Sequence, residues 1–265
     1  MAVLTHTILR IPEAISELAI ILLVVACFVG LHALVQRRLR SEVLRRHNDV
    51  AGYLFSAVGV LYAVVLGFVV VVVWQKYDTT VDNVQNEVNA AANLYHVVDG
   101  YPPGDRSVIR REIAKYAQAV MTVEWPAMEA NADVPDSDTA LVEDVAYRVD
   151  IFSPRTPGES NAQQAAMESV KRLFDARRVR LVQAAPSVPT ILWFALVAGA
   201  LAMIAFCFIF GVENRPAQLL MTAILVGLIA ILFTVIYEFA TPFSGSVSIS
   251  SDGWSFIAQR LHDIR

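Results

Sequence analysis

Few side chains in this chain of 265 residues could do chemistry, and they gather in a few places. Glu238 ends the last of four apolar runs. An ionisable group at or inside a bilayer is costly, which makes it a candidate for function. Lys171, Arg172, Arg177, Arg178 and Arg180 cluster just before the third apolar run. Such a cluster complements a helix C-terminus and meets lipid headgroups, or it lines a vestibule that attracts anions. Arg177, Arg178 and Arg180 are the anion or headgroup candidates. Asp133, Asp136, Asp138, Glu143 and Asp144 match a calcium loop in composition only. They lack the glycine and the final glutamate at the required offsets, so a solvated loop and helix cap is expected. The histidines at 6, 32, 47, 96 and 262 are scattered, and Cys27 and Cys207 both fall inside apolar runs. They offer no disulfide framework and no metal-ligand spacing. There is no phosphate-cradling glycine loop with lysine, no HExxH and no nucleophile elbow. No enzymatic activity, cofactor, metal or nucleic-acid partner is expected.

The elements that must hold these groups are dictated by hydropathy. Hydrophobic residues make up 56% of the chain and charged ones 17%, where soluble domains carry about a quarter charged residues. No Asp, Glu, Lys or Arg occurs from Val50 to Trp74, from Pro216 to Tyr237 or from Leu18 to Gln36. None occurs between Arg180 and Glu213 either, where the apolar run proper begins near Val188. Each run reaches or approaches the ~20 residues that cross ~30 Å of hydrocarbon as helix. Four such runs cannot all be buried in a soluble core this small. The first run carries its basic residues, Arg37, Arg38 and Arg40, after it, so a cleaved signal peptide is not expected. The reading is an all-α integral membrane protein with four transmembrane helices and a helical extramembrane domain inserted between the second and third. Residues 1–74 form the first helix pair, 75–187 the domain, 188–240 the second pair as a hairpin, and 241–265 a tail.

Small residues recur at three- and four-residue steps in every span. The second has Gly52, Ser56, Gly59, Ala63 and Gly67. The fourth has Ala223, Gly227, Ala230 and Thr234, and Glu238 ends its row. Small residues let helix backbones approach closely in lipid. These faces serve as contacts within one chain, contacts between subunits, or walls of a pore.

Tyr77, Val81, Val84, Val88, Ala91, Tyr95 and Val98 alternate steps of four and three in register with the second span. This heptad seam, with no Pro or Gly from Phe68 to Asp99, predicts one helix from about 50 to 98. Tyr101-Pro102-Pro103-Gly104 ends it. Three helices should follow. Asp105 or Ser107 caps the first, which Pro126 stops; Asp138 caps the second; Ser160 and Gln163 form a capping box for the third, which runs towards 182. Pro186 and Pro189 mark a kink before the third span.

Two stretches resemble a known family. One is His47-Asn48-Asp49-Val50-Ala51-Gly52, followed by Gly59 to Phe68 and the valine run to Trp74. The other is Pro242-Phe243-Ser244-Gly245 with Val247-Ser248-Ile249-Ser250 after the last span. Together they resemble a bacterial membrane family labelled bestrophin-like, over nearly the whole chain in layout. The resemblance implies architecture first. Bestrophins proper are pentameric chloride channels with four membrane helices per subunit and a large helical part. By that analogy the chain is a homo-oligomer that passes ions, with inorganic anions as the partner class and the bilayer as its solvent. The alternative is a non-conducting membrane scaffold or sensor acting through its helical domain, which reads a signal while the heptad seam mediates partner or self-association.

Orientation follows from the short loops. Arg37, Arg38, Arg40, Arg45 and Arg46 outnumber Glu42 and Asp49 between the first two spans. That loop is expected in the cytoplasm, and the domain outside the cell (inner) membrane. The domain carries 12 Lys and Arg against 17 Asp and Glu over 75–187, which does not oppose export.

Overall fold

The computed structural model describes the backbone of residues 2–38, 48–135, 137–212 and 214–263, and the side chains of 14–38, 48–135, 139–212 and 214–259. His47 and most of the basic loop lie outside the described residues, as does Glu213. All elements among the described residues are helical: α1 (Ala2–Arg38), α2 (Asn48–Val97), α3 (Pro103–Ala119), α4 (Trp125–Glu129), α5 (Ser137–Asp150), α6 (Pro157–Gln183), α7 (Thr190–Ile209), α8 (Arg215–Ala240) and α9 (Asp252–Asp263). A short 3₁₀ turn, Val98–Gly100, follows α2, and a π turn, Val120–Glu124, joins α3 to α4.

The chain divides into two compact units. The first comprises Met1–Lys76 and Ser187–Ala240, the second Tyr77–Pro186 and Thr241–Arg265. Among the described residues, four helices are long and apolar enough to cross a membrane: Ala14–Arg38, the stretch beginning at Asn48, Thr190–Ile209 and Arg215–Ala240. The protein is an integral membrane protein.

The first unit, the membrane unit, has a thin core. Leu66, Val69 and Val73 of α2 pack with Leu196, Ile236 and Ala240. Ala200, Met203 and Ile229 form a second cluster with Phe55, Val58 and Tyr62. α1 packs chiefly on α8. Most large apolar side chains here, such as Leu23, Leu61, Phe68, Ile191 and Leu220, are exposed. Lipid would cover them, because hydrocarbon is as good a neighbour for leucine as another leucine.

The second unit has a conventional buried core. The predicted seam is used internally: Val84, Val88, Ala91, Tyr95 and Val98 are buried against α3, α5 and α6 residues. Val81 is exposed. The segment after α8 belongs to this core through Phe243, Ile249, Trp254 and Ile257.

Several expected helix boundaries are corrected. Neither Asp105 nor Ser107 caps α3. The helix starts two residues earlier at Pro103, which has no N–H to satisfy, and the Ser107 hydroxyl donates to the Gly104 carbonyl at 2.8 Å. Pro126 does not stop the chain's helical course. The π turn at 120–124 precedes it, so Pro126 falls in the first turn of α4, where its missing donor costs little. The helical course ends instead at Asn131, whose φ of 50° is the left-handed conformation that asparagine tolerates. α5 begins at Ser137, and the side chain of Asp138 lies outside the described ones. α6 begins at Pro157, not after Ser160. Thr156 accepts from the Glu159 N–H at 3.2 Å, and the Glu159 carboxylate accepts from the Arg155 N–H at 2.6 Å. Gln163 donates to the carbonyl of Phe152 at 2.7 Å rather than completing a box with Ser160.

Candidate functional site

In the second unit, α6 extends its apolar face of Ala166, Val170 and Leu173 with Arg177 and Arg180. Charged groups at core positions need partners. Glu87 supplies one from the buried side of α2, and Glu124 another from the π turn. Arg180 donates through Nε to Glu87 Oε2 at 2.6 Å and through Nη2 to Glu87 Oε1 at 3.0 Å. The same Nη2 reaches Glu124 Oε2. Arg177 donates to Glu124 Oε1 from Nε at 3.0 Å and from Nη2 at 2.8 Å, and its Nη1 reaches Thr139 at 3.2 Å. The Tyr116 hydroxyl donates to Glu87 Oε1 at 2.5 Å. The Arg180 guanidinium also lies 5.5 Å from the centre of the Trp125 ring.

Two carboxylates and two guanidiniums thus compensate each other away from water. Burial alone would lower the pKa of Arg180, but the charges and hydrogen bonds of Glu87, with Tyr116 and Glu124, hold it above the usual arginine value. Burial, then the charge of Glu87, pushes the Tyr116 hydroxyl well above the usual tyrosine range. The expectation that Arg177 and Arg180 meet anions or headgroups is therefore corrected: both are buried, and they donate to Glu87, Glu124, Thr139 and Met128. Arg178 points elsewhere, is exposed, and pairs with Asp175 at 2.9 Å.

The second family motif sits in the same core. Phe243 is fully buried edge-on to Trp125, with ring centres 5.3 Å apart. The Pro242 carbonyl accepts from the Ile249 N–H at 2.8 Å, and the Ile249 carbonyl accepts from the Trp125 indole at 3.1 Å. Gly245 has φ of 87°, a conformation that requires glycine.

The membrane unit places the small-residue candidates unequally. A Cβ on Gly59 would meet Met203 Cε at 3.2 Å, and one on Gly227 would meet Val25 Cγ2 at 3.8 Å. These two serve contacts within the chain. Gly52 and Gly67 have nothing within 4 Å of such a Cβ. Ser56 and Ala63 are exposed, with the Ser56 hydroxyl donating to the Gly52 carbonyl at 2.9 Å. Thr234 donates to the Ala230 carbonyl at 3.1 Å, and Glu238 is buried. From the first motif, Asn48 clamps Gly211 with both amide atoms, Nδ2 to the carbonyl at 2.8 Å and Oδ1 from the N–H at 3.0 Å, while Asp49 is exposed.

One polar cluster escaped sequence reasoning. His32, Gln36, Gln218 and Thr222 meet between α1 and α8, with the His32 Nδ1 2.8 Å from Thr222 Oγ1. The signal available was polar residues inside apolar runs, but pairing partners 190 residues apart leaves no local pattern.

No curated protein sequence matches the chain. Solved structures do. A structure described as a membrane protein superposes with a TM-score of 0.67 at 12% identity, covering 91% of this chain and 98% of that one. Two structures of a bacterial bestrophin homologue from Klebsiella pneumoniae give TM-scores of 0.64 and 0.65, each at 12% identity. They cover 91% and 89% of this chain, and 98% and 97% of theirs. At such identity the likeness speaks for the fold. Sequence speaks for the family, since the Bestrophin-like domain matches residues 22–253. The chain belongs to the Bestrophin-like domain family.

Proposed function

We propose that the chain assembles as an oligomeric ion channel of bestrophin-like type, with small-residue faces of the spans around a shared pore. The observation that carries this is the unused face of α2. Gly52 and Gly67 have no neighbour within 4 Å of a Cβ, and Ser56 and Ala63 are exposed. Met203 approaches this face at Gly59, but the rest of it is shaped for close backbone approach and left open within one chain, which suits a second copy. Membership in the family supports conduction, and inorganic anions are the ion class that the bestrophin resemblance suggests. The scaffold or sensor alternative, acting through the helical domain, loses much of its seam for association, because Val84, Val88, Ala91, Tyr95 and Val98 are buried in the chain's own core.

In this reading residues 75–187 form the extramembrane domain inserted between the second and third spans. The protein sits in the inner membrane with the domain outside. A single cysteine at Ser137, in a background without Cys27 and Cys207, tests the orientation. Labelling of intact cells by an impermeant maleimide is expected; protection until lysis would reverse the topology. Assembly is tested by Gly67→Leu, which meets no neighbour in its own chain. Native mass spectrometry should show loss of the oligomer with helicity retained. An unchanged oligomer mass would place this face against lipid.

A further inference from the structure

The His32 cluster has a determined direction. The carbonyls of Cys207 and Phe210, at the end of α7, can only accept. Gln218 Nε2 lies 3.3 and 2.5 Å from them, so its amide nitrogen faces α7. Its Oε1 then accepts from Gln36 Nε2 at 2.8 Å. The remaining N–H of that Gln36 amide points to His32 Nε2, 3.2 Å away, so this ring nitrogen must accept. The Thr222 hydroxyl gives its proton to the Gln218 carbonyl at 3.1 Å, so its oxygen accepts from the His32 Nδ1–H. Every donor and acceptor is matched only when His32 is neutral and protonated on Nδ1.

We propose that His32 is a proton-operated latch of the membrane unit: neutral, it ties the ends of α1, α7 and α8 together, and protonated it releases them. A proton on Nε2 would oppose the Gln36 amide nitrogen. Turning that amide sets its oxygen against Gln218 Oε1. Turning Gln218 in response sets its oxygen against the two α7 carbonyls. The mismatch cannot be absorbed locally, because the chain ends on backbone. His32 and Thr222 are fully buried, and Gln36 is half-buried, so its amide can turn to water only by breaking its bonds to His32 and Gln218. The Phe208 ring, 4.7 Å from the imidazole, closes another side. Among the described residues of the packed elements, the titratable or charged groups at this end include Cys207 on α7 and Arg215 on α8. Arg37 and Arg38 follow on α1, with Cys27 before, and Asp49 opens α2. Both His32 nitrogens are nonetheless met by uncharged groups. The latch does not depend on whether the chain conducts.

The test is thermal denaturation of the detergent-solubilised protein from about pH 8 to about pH 5, across the ordinary histidine range. The wild type should lose on the order of 3 °C or more on acidification. His32→Gln, which keeps a neutral donor and acceptor, should flatten that slope. Gln36→Leu removes the opposing amide and should flatten it too, which keeps the question decidable if His32→Gln fails to fold. Hydrogen exchange, corrected for its intrinsic pH dependence, should rise at 205–220 in the wild type at low pH. Equal slopes in wild type and folded variants, or wild-type exchange at 205–220 that ignores pH, would overturn the latch.

Discussion

The main polar cluster of each unit uses a different chemistry, although the membrane unit also buries the carboxyl-bearing Glu238. In the second unit four buried ions, Glu87, Glu124, Arg177 and Arg180, share one site, beside neutral buried groups such as Thr80 and Ser169. In the membrane unit the hydrogen-bonded groups of the His32 site are neutral: His32, Gln36, Gln218 and Thr222, with Asn48 on Gly211. An ion network is possible where α2, the π turn and α6 converge and every charge can be matched. In a helix bundle with lipid on its flanks, neutral amides and hydroxyls give interhelical bonds without that charge debt. The first design is stiff and fails sharply when one member is lost. The second is weaker bond by bond.

Removing one ion should therefore do the most damage. Arg180→Ala leaves Glu87 and Glu124 buried without compensation and should cost about 3–5 kcal/mol. Chemical denaturation followed by tryptophan fluorescence reads it. Arg180→Met with Glu87→Met leaves the Arg177–Glu124 pair intact and should lose less than Arg180→Ala alone. A double variant weaker than the single would mean that charge balance is not what the site needs. Val84→Pro, in the middle of α2, should cost about 3 kcal/mol or more, by breaking the helix that carries Glu87. In the membrane unit Gln218→Leu removes neutral bonds only. Interhelical bonds in membranes average about 0.6 kcal/mol and reach about 1.7. A loss as large as that of Arg180→Ala would erase the contrast between the units. The smallest effect is expected at high pH. Burial, and then the charge of Asp105, pushes the Tyr101 hydroxyl up to about 12. A raised value means the folded state disfavours the phenolate. Its stabilisation is whole below about pH 10 and is lost as pH rises towards 12. Tyr101→Phe should shrink that alkaline decline in melting temperature, and an unchanged decline would assign it elsewhere.

The parts of this architecture that were legible in the sequence are the parts with a period. The heptad from Tyr77 to Val98 announced α2, found as fifty unbroken residues. Four uncharged runs announced the apolar helices. Caps were less legible, because proline at a first helical turn outcompetes a plausible side-chain cap: Pro103 did so against Asp105, and Pro157 against Ser160. The ion site was hidden by distance. Arg180 meets Glu87 across 93 residues and Glu124 across 56. Its traces were Glu87 between Val84 and Val88, and Arg177 and Arg180 continuing the steps of Leu173. Charges set at core positions ask for partners, whereas a basic cluster just before a span reads as a surface.

Conduction is most directly tested by current through the purified oligomer in planar bilayers under asymmetric salt. Discrete currents, absent from protein-free membranes and lost with Gly67→Leu, are predicted, with a reversal potential on the anion side. Electrically silent bilayers containing verified, folded oligomer would contradict the channel reading.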